Sequence, residues 1–195
     1  MAWIYKEGAY AYFTYMGTEQ TNNATEFYNY FINKGVSLEA ICGMLGNVTR
    51  ESTLNPAITG TGGGGLIGWT PVSVIKNWCK TYGYNWYDGA AQCERIWCEG
   101  TNTKGAGGSW LPTPQYPYTW NEFIKLNDVA EACKAYLYER ERAGVEALSE
   151  RLSYASDWYD FFNGTPVPPT PPTPPTPPTP FKRNSMPIYM MLRKL

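Results

Sequence analysis

One glutamate, followed by a glycine-rich loop, is the feature of the sequence best suited to chemistry. Glu51 ends an apolar segment inside GNVTRESTLNPAITGTGGGGLIGWT, which runs from Gly46 to Thr70. Cleavage of a glycoside needs a carboxylic acid, held partly out of water, that protonates a leaving oxygen. The negative end of a helix dipole opposes ionisation of such an acid, and glycines let backbone approach a sugar closely. By composition alone, a solvated glutamate in a last helical turn is the alternative interpretation.

The composition excludes catalytic sites that depend on histidine. The chain has no histidine, which excludes serine–histidine and cysteine–histidine pairs and histidine-ligated zinc within it. Five cysteines are odd in number and do not have zinc-knuckle spacing, so we expect buried free thiols. A bridge among Cys79, Cys93 and Cys98 is the alternative. We expect no metal or other cofactor.

Charge and aromatic content narrow the class of partner. The chain has 16 Lys and Arg against 17 Asp and Glu, which gives no reason to expect nucleic acid or anionic lipid as a partner. Its 16 Tyr, 8 Trp and 7 Phe fit a glycan cleft, a packed core or an assembly interface. No apolar run is long enough for a membrane span, and the first residues lack the pattern of a secretion signal.

Hydrophobic periodicity predicts a mainly α fold with weak strand signals. The first helix is expected to begin near Asn22 or Asn23 and to end at Gly35. The second is capped by Ser37 and carries Glu51 in its last turn. Four further helical segments follow, namely PVSVIKNWCKTYG, DGAAQCERIWCEG, TWNEFIKLNDVAEACKAYLYERERAG with a break near Leu126–Asn127, and VEALSERLSYASDWYDFFNG.

Composition also divides the chain into four parts. Residues 1–20 are an aromatic-rich N-terminal leader whose conformation the sequence does not define, and residues 21–163 form the helical domain. Residues 164–180, GTPVPPTPPTPPTPPTP, favour polyproline II because proline fixes φ and lacks an amide donor. Residues 181–195 end in an apolar IYMML bracketed by bases. We interpret this tail as an anchor for a partner's groove, with a disordered tail as the alternative.

Several blocks of the domain resemble known sequences. ESTLNP, at residues 51–56, is similar to the E-S-x-x-N-P signature of the lysozyme-like superfamily, which includes lytic transglycosylases and goose-type lysozymes. The flanking AICGMLGNVTRES and GLIGWTP resemble the phage tail lysozyme family more narrowly. DGAAQCERI, YERERAGVEAL and ASDWYDFF are similar to later blocks of that family, in matching order over about residues 22–163.

The resemblance implies cleavage of the glycan strand of peptidoglycan, with Glu51 as general acid. It implies that Ser52 steadies the helix end and that Asn55 holds the following turn. The loop residues that it assigns to the substrate cleft are Gly65, Leu66, Gly68, Trp69 and Thr70.

One position departs from the family's usual Gly-Leu-x-Gln-Trp. Gly68 stands where the family has Gln, so either the backbone with a neighbour such as Thr61 or Thr70 supplies the lost contact, or activity is reduced.

The second carboxylate and the aromatic subsites are less defined. Glu141 is preferred among Asp88, Glu94, Glu139 and Glu141 because it lies in a block similar to the family's aromatic-Glu-Arg segment. An ion pair with Arg142 or Arg151 is its alternative role. Trp69 is the first subsite candidate, and Tyr116 and Tyr118 are expected on the opposite wall unless they serve packing. Trp78, Trp97 and Trp158 occur at helical spacing and are expected in the core.

The sequence therefore predicts a virion-associated glycosidase, made in the host cytoplasm and carried on a phage tail, that opens the bacterial wall at infection. Its expected partners are peptidoglycan and, through the C-terminal tail, other tail proteins. The alternatives are an inactive or weak lysozyme-like structural tail protein, forming a plug or tip, and a free endolysin acting at lysis. The resemblance to transglycosylase-like proteins also implies that one acid can suffice when the N-acetyl group of the substrate assists. Hydrolysis and transglycosylation both stay open.

Overall fold

The structure, a computed structural model, describes residues 2–142 and 146–164. In this part the chain is mainly helical, which confirms the predicted fold class. The helices are α1 Thr18–Ile32, α2 Leu38–Ser52, α3 Ser73–Tyr82, α4 Gly89–Thr101, α5 Trp120–Phe123, α6 Val129–Tyr136 and α7 Leu148–Gly164, with a π-helical turn at Leu137–Glu141 that continues α6. Two short parallel strands, β1 Gly8–Ala9 and β2 Ile58–Thr59, pair Gly8 with Ile58. The expected anchor, and all of the expected linker except Gly164, lie outside the described residues.

Helix α2 is the central helix of the domain, and residues 40–49 are all buried. Two of its glycines allow close packing. A Cβ added at Gly46 would lie 2.4 Å from the carbonyl oxygen of Arg151, and one added at Gly43 would lie 2.6 Å from the backbone nitrogen of Cys133. Because no side chain intervenes, α7 and α6 approach the α2 backbone directly. This packing brings residues of three helices to one end of α2.

Most helix predictions are confirmed, and one boundary is wrong. The Ser37 hydroxyl accepts a hydrogen bond from the amide of Ala40 at 3.1 Å, as the predicted cap requires. The predicted break falls between α5 and α6. Helix α1, however, begins at Thr18 rather than near Asn22 or Asn23. Asn23 resembles a cap in sequence, but its buried side chain bonds the backbone of Ile4 instead.

Residues 2–17, here called the N-terminal arm, pack along the domain. Side chains of the domain hold the backbone of this arm at several points, among them Asn23 with Ile4 at 2.8 and 2.7 Å, Asn55 with Lys6 at 3.1 and 2.7 Å, and Thr53 with Phe13 at 2.7 Å. The pairing of β1 with β2 adds a further attachment. The arm is therefore positioned by residues on both sides of Glu51.

The core contains the residues that the sequence assigned to it. Trp78 and Trp158 are buried, and Trp97 packs against the core. All five cysteines are buried free thiols, which confirms that interpretation over a disulfide. Among the described residues, no helix is long and apolar enough to cross a membrane.

Candidate active site

Glu51 lies in the last turn of α2, with 27% of its side chain exposed. The helix ends there because Thr53 and Leu54 adopt left-handed conformations, with φ of 50° and 64°. The buried Ser52 hydroxyl accepts from the amide of Leu54 at 3.1 Å and donates to the carbonyl of Leu66 at 2.8 Å. Ser52 therefore ties the helix end to the glycine-rich loop.

Asn55 holds the turn that follows Glu51. Its buried amide group donates to the carbonyls of Lys6 and Ala11, both at 2.7 Å. Its Oδ1 accepts from the amide of Ala57 at 3.2 Å. Ser52 and Asn55 thus bond to the protein itself, and both shape the site from within.

Two cavities of different size meet at Glu51. The larger has a volume of about 600 Å³ and the smaller about 210 Å³. Three residues line both of them: Glu51, Gly68 and Thr70. Glu51 thus lies between the two cavities, here called the two halves of the cleft, and lines both of them.

The larger cavity is lined largely by charged side chains. These are Arg50, Arg95, Arg140, Arg142 and Arg151, with Glu51, Glu99 and Glu141. Arg151, which is 1% exposed, donates from Nη2 to Oε1 of Glu51 at 2.5 Å. Its Nη1 donates to Oδ1 of Asn47 at 3.0 Å, and its Nε donates to the carbonyl of Glu146 at 2.8 Å. Because its guanidinium is held on three sides, Arg151 fixes the position of the Glu51 carboxylate.

A second buried carboxylate organises the far wall of the larger cavity. Oε1 of Glu99 accepts from Nε1 of Trp69 and from Nε of Arg95, both at 2.8 Å. Oε2 of Glu99 lies 2.6 Å from Nη2 of Arg140. Trp69 is itself buried, so its ring forms part of the wall and its orientation is set by Glu99. A buried carboxylate with these partners has its charge compensated on both oxygens.

Glu141 enters the larger cavity from the π-helical turn. The turn ends at Arg142, whose φ is 46° and whose amide bonds the carbonyl of Leu137 at 2.7 Å. Oε1 of Glu141 is buried without a hydrogen-bond partner among the described residues. Burial raises the pKa of Glu141 to about 8; the charges of Arg140 and Arg151 oppose that shift, and the charge of Glu51 adds to it. Glu141 is therefore a neutral carboxylic acid at pH 7.

The structure separates the four candidates for a second carboxylate. Of these, Glu141 lines the cavity that Glu51 lines. Asp88 caps α4, and Glu94 pairs with Lys104 at 2.6 Å. Glu139 is buried, accepts from the amide of Tyr118 at 3.1 Å, and has a pKa raised to about 7 by burial. Arg151 donates its hydrogen bond to Glu51, and its charge also lowers the pKa of Glu141, so an electrostatic role of Glu141 toward Arg151 stays open.

Gly68 lies close to the Glu51 carboxylate. Its φ is +64°, and a Cβ added there would lie 3.2 Å from Oε2 of Glu51. A side chain at this position would strain the backbone and approach the carboxylate. Two hydroxyl groups lie near the space that a longer side chain at position 68 would fill. That of Thr70 donates to the carbonyl of Gly68 at 3.1 Å, and the other belongs to Thr61.

The rest of the glycine loop is fastened to α4. Oε1 of Gln92 accepts from the amide of Leu66 at 2.7 Å, and a Cβ added at Gly65 would lie 2.9 Å from that same oxygen. The Trp69 ring closes on Gly65 from the other side, with Cε3 also 2.9 Å from the added Cβ. Leu66 is fully buried, so its part in the site is to anchor the loop.

The aromatic side chains at the cleft differ from the expected pair. Tyr116 is buried and stacks on Tyr138 with ring centroids 5.2 Å apart, and the hydroxyl of Tyr118 donates to Glu131 at 2.9 Å. Neither lines either cavity, so the structure favours their packing role. The tyrosines that line the smaller cavity are Tyr10 and Tyr12 of the N-terminal arm.

Sequence reasoning missed several residues of this site. Arg95 and Glu99 are four residues apart within a predicted helix, a spacing that indicates a side-chain pair. For Arg140 and for the tyrosines of the arm, no local pattern marks a site. Arg151 was considered only as a partner for Glu141.

Comparison with known proteins agrees with this architecture. Residues 22–162 match the family model described as phage tail lysozyme. The chain is 32% identical over 154 residues to morphogenesis protein 1 of Bacillus phage B103, an alignment that covers 75% of this chain and 40% of that protein. The chain thus spans less than half the length of this relative. With Glu51 and the following loop inside the matched region, the chain belongs to the phage tail lysozyme family.

Proposed function

We propose that the protein is a glycosidase that cleaves the β-1,4-linked glycan strand of bacterial peptidoglycan, with Glu51 as the general acid. The observation that carries the proposal is the position of Glu51 at the junction of the two cavities. A glycan that occupies both halves has the linkage between two sugars above this carboxyl group. The family supports peptidoglycan as the substrate.

A general acid must carry a proton at the moment of bond cleavage, and Glu141 is its source in this proposal. Both carboxyl groups line the larger cavity, and the charge of Glu51 adds to the raised pKa of Glu141. Because burial raises the pKa of Glu141 to about 8, Glu141 retains its proton at neutral pH. That proton reaches the glycosidic oxygen through Glu51, while Arg151 holds the Glu51 side chain in place.

The test is clearing of Gram-positive peptidoglycan in a gel by wild type and Glu51→Gln. Loss of a general acid lowers the rate by about 10²–10⁴-fold, so the variant is expected to leave no clear zone. Glu39→Gln, which makes the same change in the first turn of the same helix, is the matched control and is expected to clear normally. Mass spectrometry of the fragments then separates reducing ends, from hydrolysis, from anhydro ends, from transglycosylation.

A second candidate is a structural part of the phage particle without activity, which the name of the Bacillus phage relative, a morphogenesis protein, favours. If the folded wild-type protein leaves the wall as intact as Glu51→Gln is expected to leave it, the enzymatic proposal is overturned in favour of this one. We place the enzyme in the virion, on the tail, where a partner protein receives residues 181–195. Deletion of those residues is expected to abolish incorporation into particles.

A further inference from the structure

We propose that the N-terminal arm is a sugar-binding wall of the cleft, and that Tyr10 and Tyr12 pack against an uncharged N-acetylhexosamine unit of the glycan. This inference rests on the proposed function and adds a binding subsite to it. The arm precedes residues 22–162, the region that matches the family model. The subsite therefore belongs to this chain's own N-terminal segment.

The exposure and location of the two tyrosines point to a ligand. Tyr10 is 59% exposed and Tyr12 50% exposed, and both line the cavity of about 210 Å³ that Glu51 also lines. Their ring centroids are 6.5 Å apart, with the planes tilted by 41°. Two neighbouring exposed rings beside a catalytic carboxyl group offer the apolar surface on which the C–H face of a pyranose packs.

The wall is built before any ligand arrives. The amide of Tyr10 donates to the carbonyl of Thr59 at 2.9 Å, and its hydroxyl is hydrogen-bonded to that of Thr61 at 2.9 Å. The amide of Tyr12 donates to the carbonyl of Tyr10 at 2.9 Å. Asn55, which bonds both Lys6 and Ala11, fixes the arm on either side of Tyr10. Little conformational freedom is left to lose on binding, and this favours affinity.

The chemistry of the smaller cavity selects an uncharged sugar. Among the described residues that line it, Glu51 carries the only formal charge. Its polar groups are the hydroxyls of Tyr10, Thr61 and Thr70 and the backbone of the glycine loop, which suit the hydroxyl and N-acetyl groups of a sugar. The larger cavity, whose lining has five arginines against three glutamates, keeps an excess of positive charge. It suits instead the muramic acid unit, whose lactyl-linked peptide carries carboxylates.

Binding is measured by calorimetry with the hexamer of N-acetylglucosamine, using Glu51→Gln as the parent so that the ligand is not cleaved. Adding Tyr10→Ala and Tyr12→Ala is expected to weaken binding at least about tenfold, since two aromatic contacts are lost. Tyr12→Phe keeps the ring and is expected to bind as the parent does. Tyr5→Ala is the matched control, because Tyr5 is 47% exposed on the same arm but packs against Tyr87, with ring centroids 4.6 Å apart.

Activity separates failure of this inference from failure of the proposed function. In the otherwise wild-type protein, the double alanine variant is expected to raise KM for peptidoglycan with little change in kcat. Suppose that wild type clears peptidoglycan and that the double variant matches Tyr5→Ala in binding and KM. The sugar-binding role of the arm is then refuted, and the glycosidase proposal stands. If the Glu51→Gln parent does not bind the hexamer, the subsite is also refuted. Circular dichroism checks folding, and Tyr12→Ala alone replaces the double variant if that fails to fold.

Discussion

The two halves of the cleft differ in what holds them together. The larger half is made of side chains whose charges compensate one another below the surface, with Arg151 on Glu51 and Arg95 and Arg140 on Glu99. The smaller half is made of backbone, hydroxyls and two tyrosines, and Glu51 is its only charged lining residue among those described. One carboxyl group thus faces a preorganised field of charge on one side and a neutral surface on the other.

This difference assigns different tasks to the halves. Charges in a region of low dielectric constant orient a carboxyl group and set where its proton resides. A neutral surface with exposed rings binds a sugar without disturbing that arrangement. We therefore expect changes on the charged side to affect stability and catalysis together, and changes on the neutral side to affect mainly substrate binding.

Arg151→Met tests the charged side most severely. The substitution leaves Glu51, Asn47 and the Glu146 carbonyl without their buried donor. Removing one partner of a buried ion pair costs about 3–5 kcal/mol, and we expect a loss near the lower limit because Glu51 is 27% exposed. Urea unfolding measures the change.

Arg50→Met is the control for that experiment. Arg50 pairs with Glu150 at 2.9 Å, but the two side chains are 41% and 56% exposed. A solvent-exposed pair contributes about 0–1 kcal/mol. Equal losses from the two arginine variants would contradict the view that burial makes the Arg151 contact the stronger one.

The pH dependence of stability tests the neutral state of Glu141. The pKa of Glu141 is about 8 in the folded protein against an ordinary 4.5. Between these values the folded state holds a proton that the unfolded state has released, so stability falls as the pH rises, by at most about 1.4 kcal/mol per pH unit. Below the ordinary pKa both states are protonated and this contribution is constant.

Unfolding in urea at several pH values between these limits measures that slope. Glu141→Gln is expected to flatten it. Glu139 contributes with the same sign, because burial raises its pKa to about 7. Glu139→Gln is therefore the control that leaves the Glu141 share in place. Parallel slopes for wild type and Glu141→Gln would contradict a raised pKa at Glu141.

The rate of wall cleavage tests the same residue as a proton source. Glu141→Gln keeps the shape of the side chain but removes its proton, and we expect kcat to fall about 100-fold, at the lower end of acid–base effects. In wild type, activity is expected to decline above a pH of about 8, where Glu141 loses its proton. That decline should disappear or shift in the variant. An unchanged pH profile in Glu141→Gln would mean that Glu51 acts without Glu141.

Local signals explain which parts of this arrangement could be predicted. Ser37 and the small and apolar residues after it define α2 within the span of one helix, and the ESTLNP block marks Glu51. The start of α1 could not be predicted, because the partner of Asn23 is the backbone of Ile4, 19 residues away. The same amide groups of an asparagine side chain can cap a helix or form a tertiary hydrogen bond, so the cap pattern alone does not define where the helix begins.

The rest of the site depends on contacts between distant parts of the chain. Arg151 and Glu51 are 100 residues apart, and Asn55 holds Lys6 across 49 residues. The first contact follows from the packing of α7 on Gly46 of α2 and the second from the placement of the N-terminal arm. Neither leaves a periodicity in the sequence. The π-helical turn that brings Glu141 into the cavity is likewise a departure from the predicted helix.

Gly68 lies between the two halves, and its substitution is expected to cost less stability than that of Arg151. Because its φ is +64°, Gly68→Ala is expected to lose about 1–2 kcal/mol from backbone strain alone. Gly62→Ala is the matched control, since Gly62 has a φ of +80° in the same loop and a Cβ there meets nothing within 4 Å. Equal losses of stability are expected from both. Only Gly68→Ala should lower activity, because its methyl group approaches Oε2 of Glu51.

Gly68→Gln, which installs the residue usual in the family, should lower activity further, since the larger side chain fills the junction that joins the halves. A gain of activity in Gly68→Gln would mean that the loop accepts a different backbone conformation, and the division of the cleft at Glu51 would then have to be redrawn.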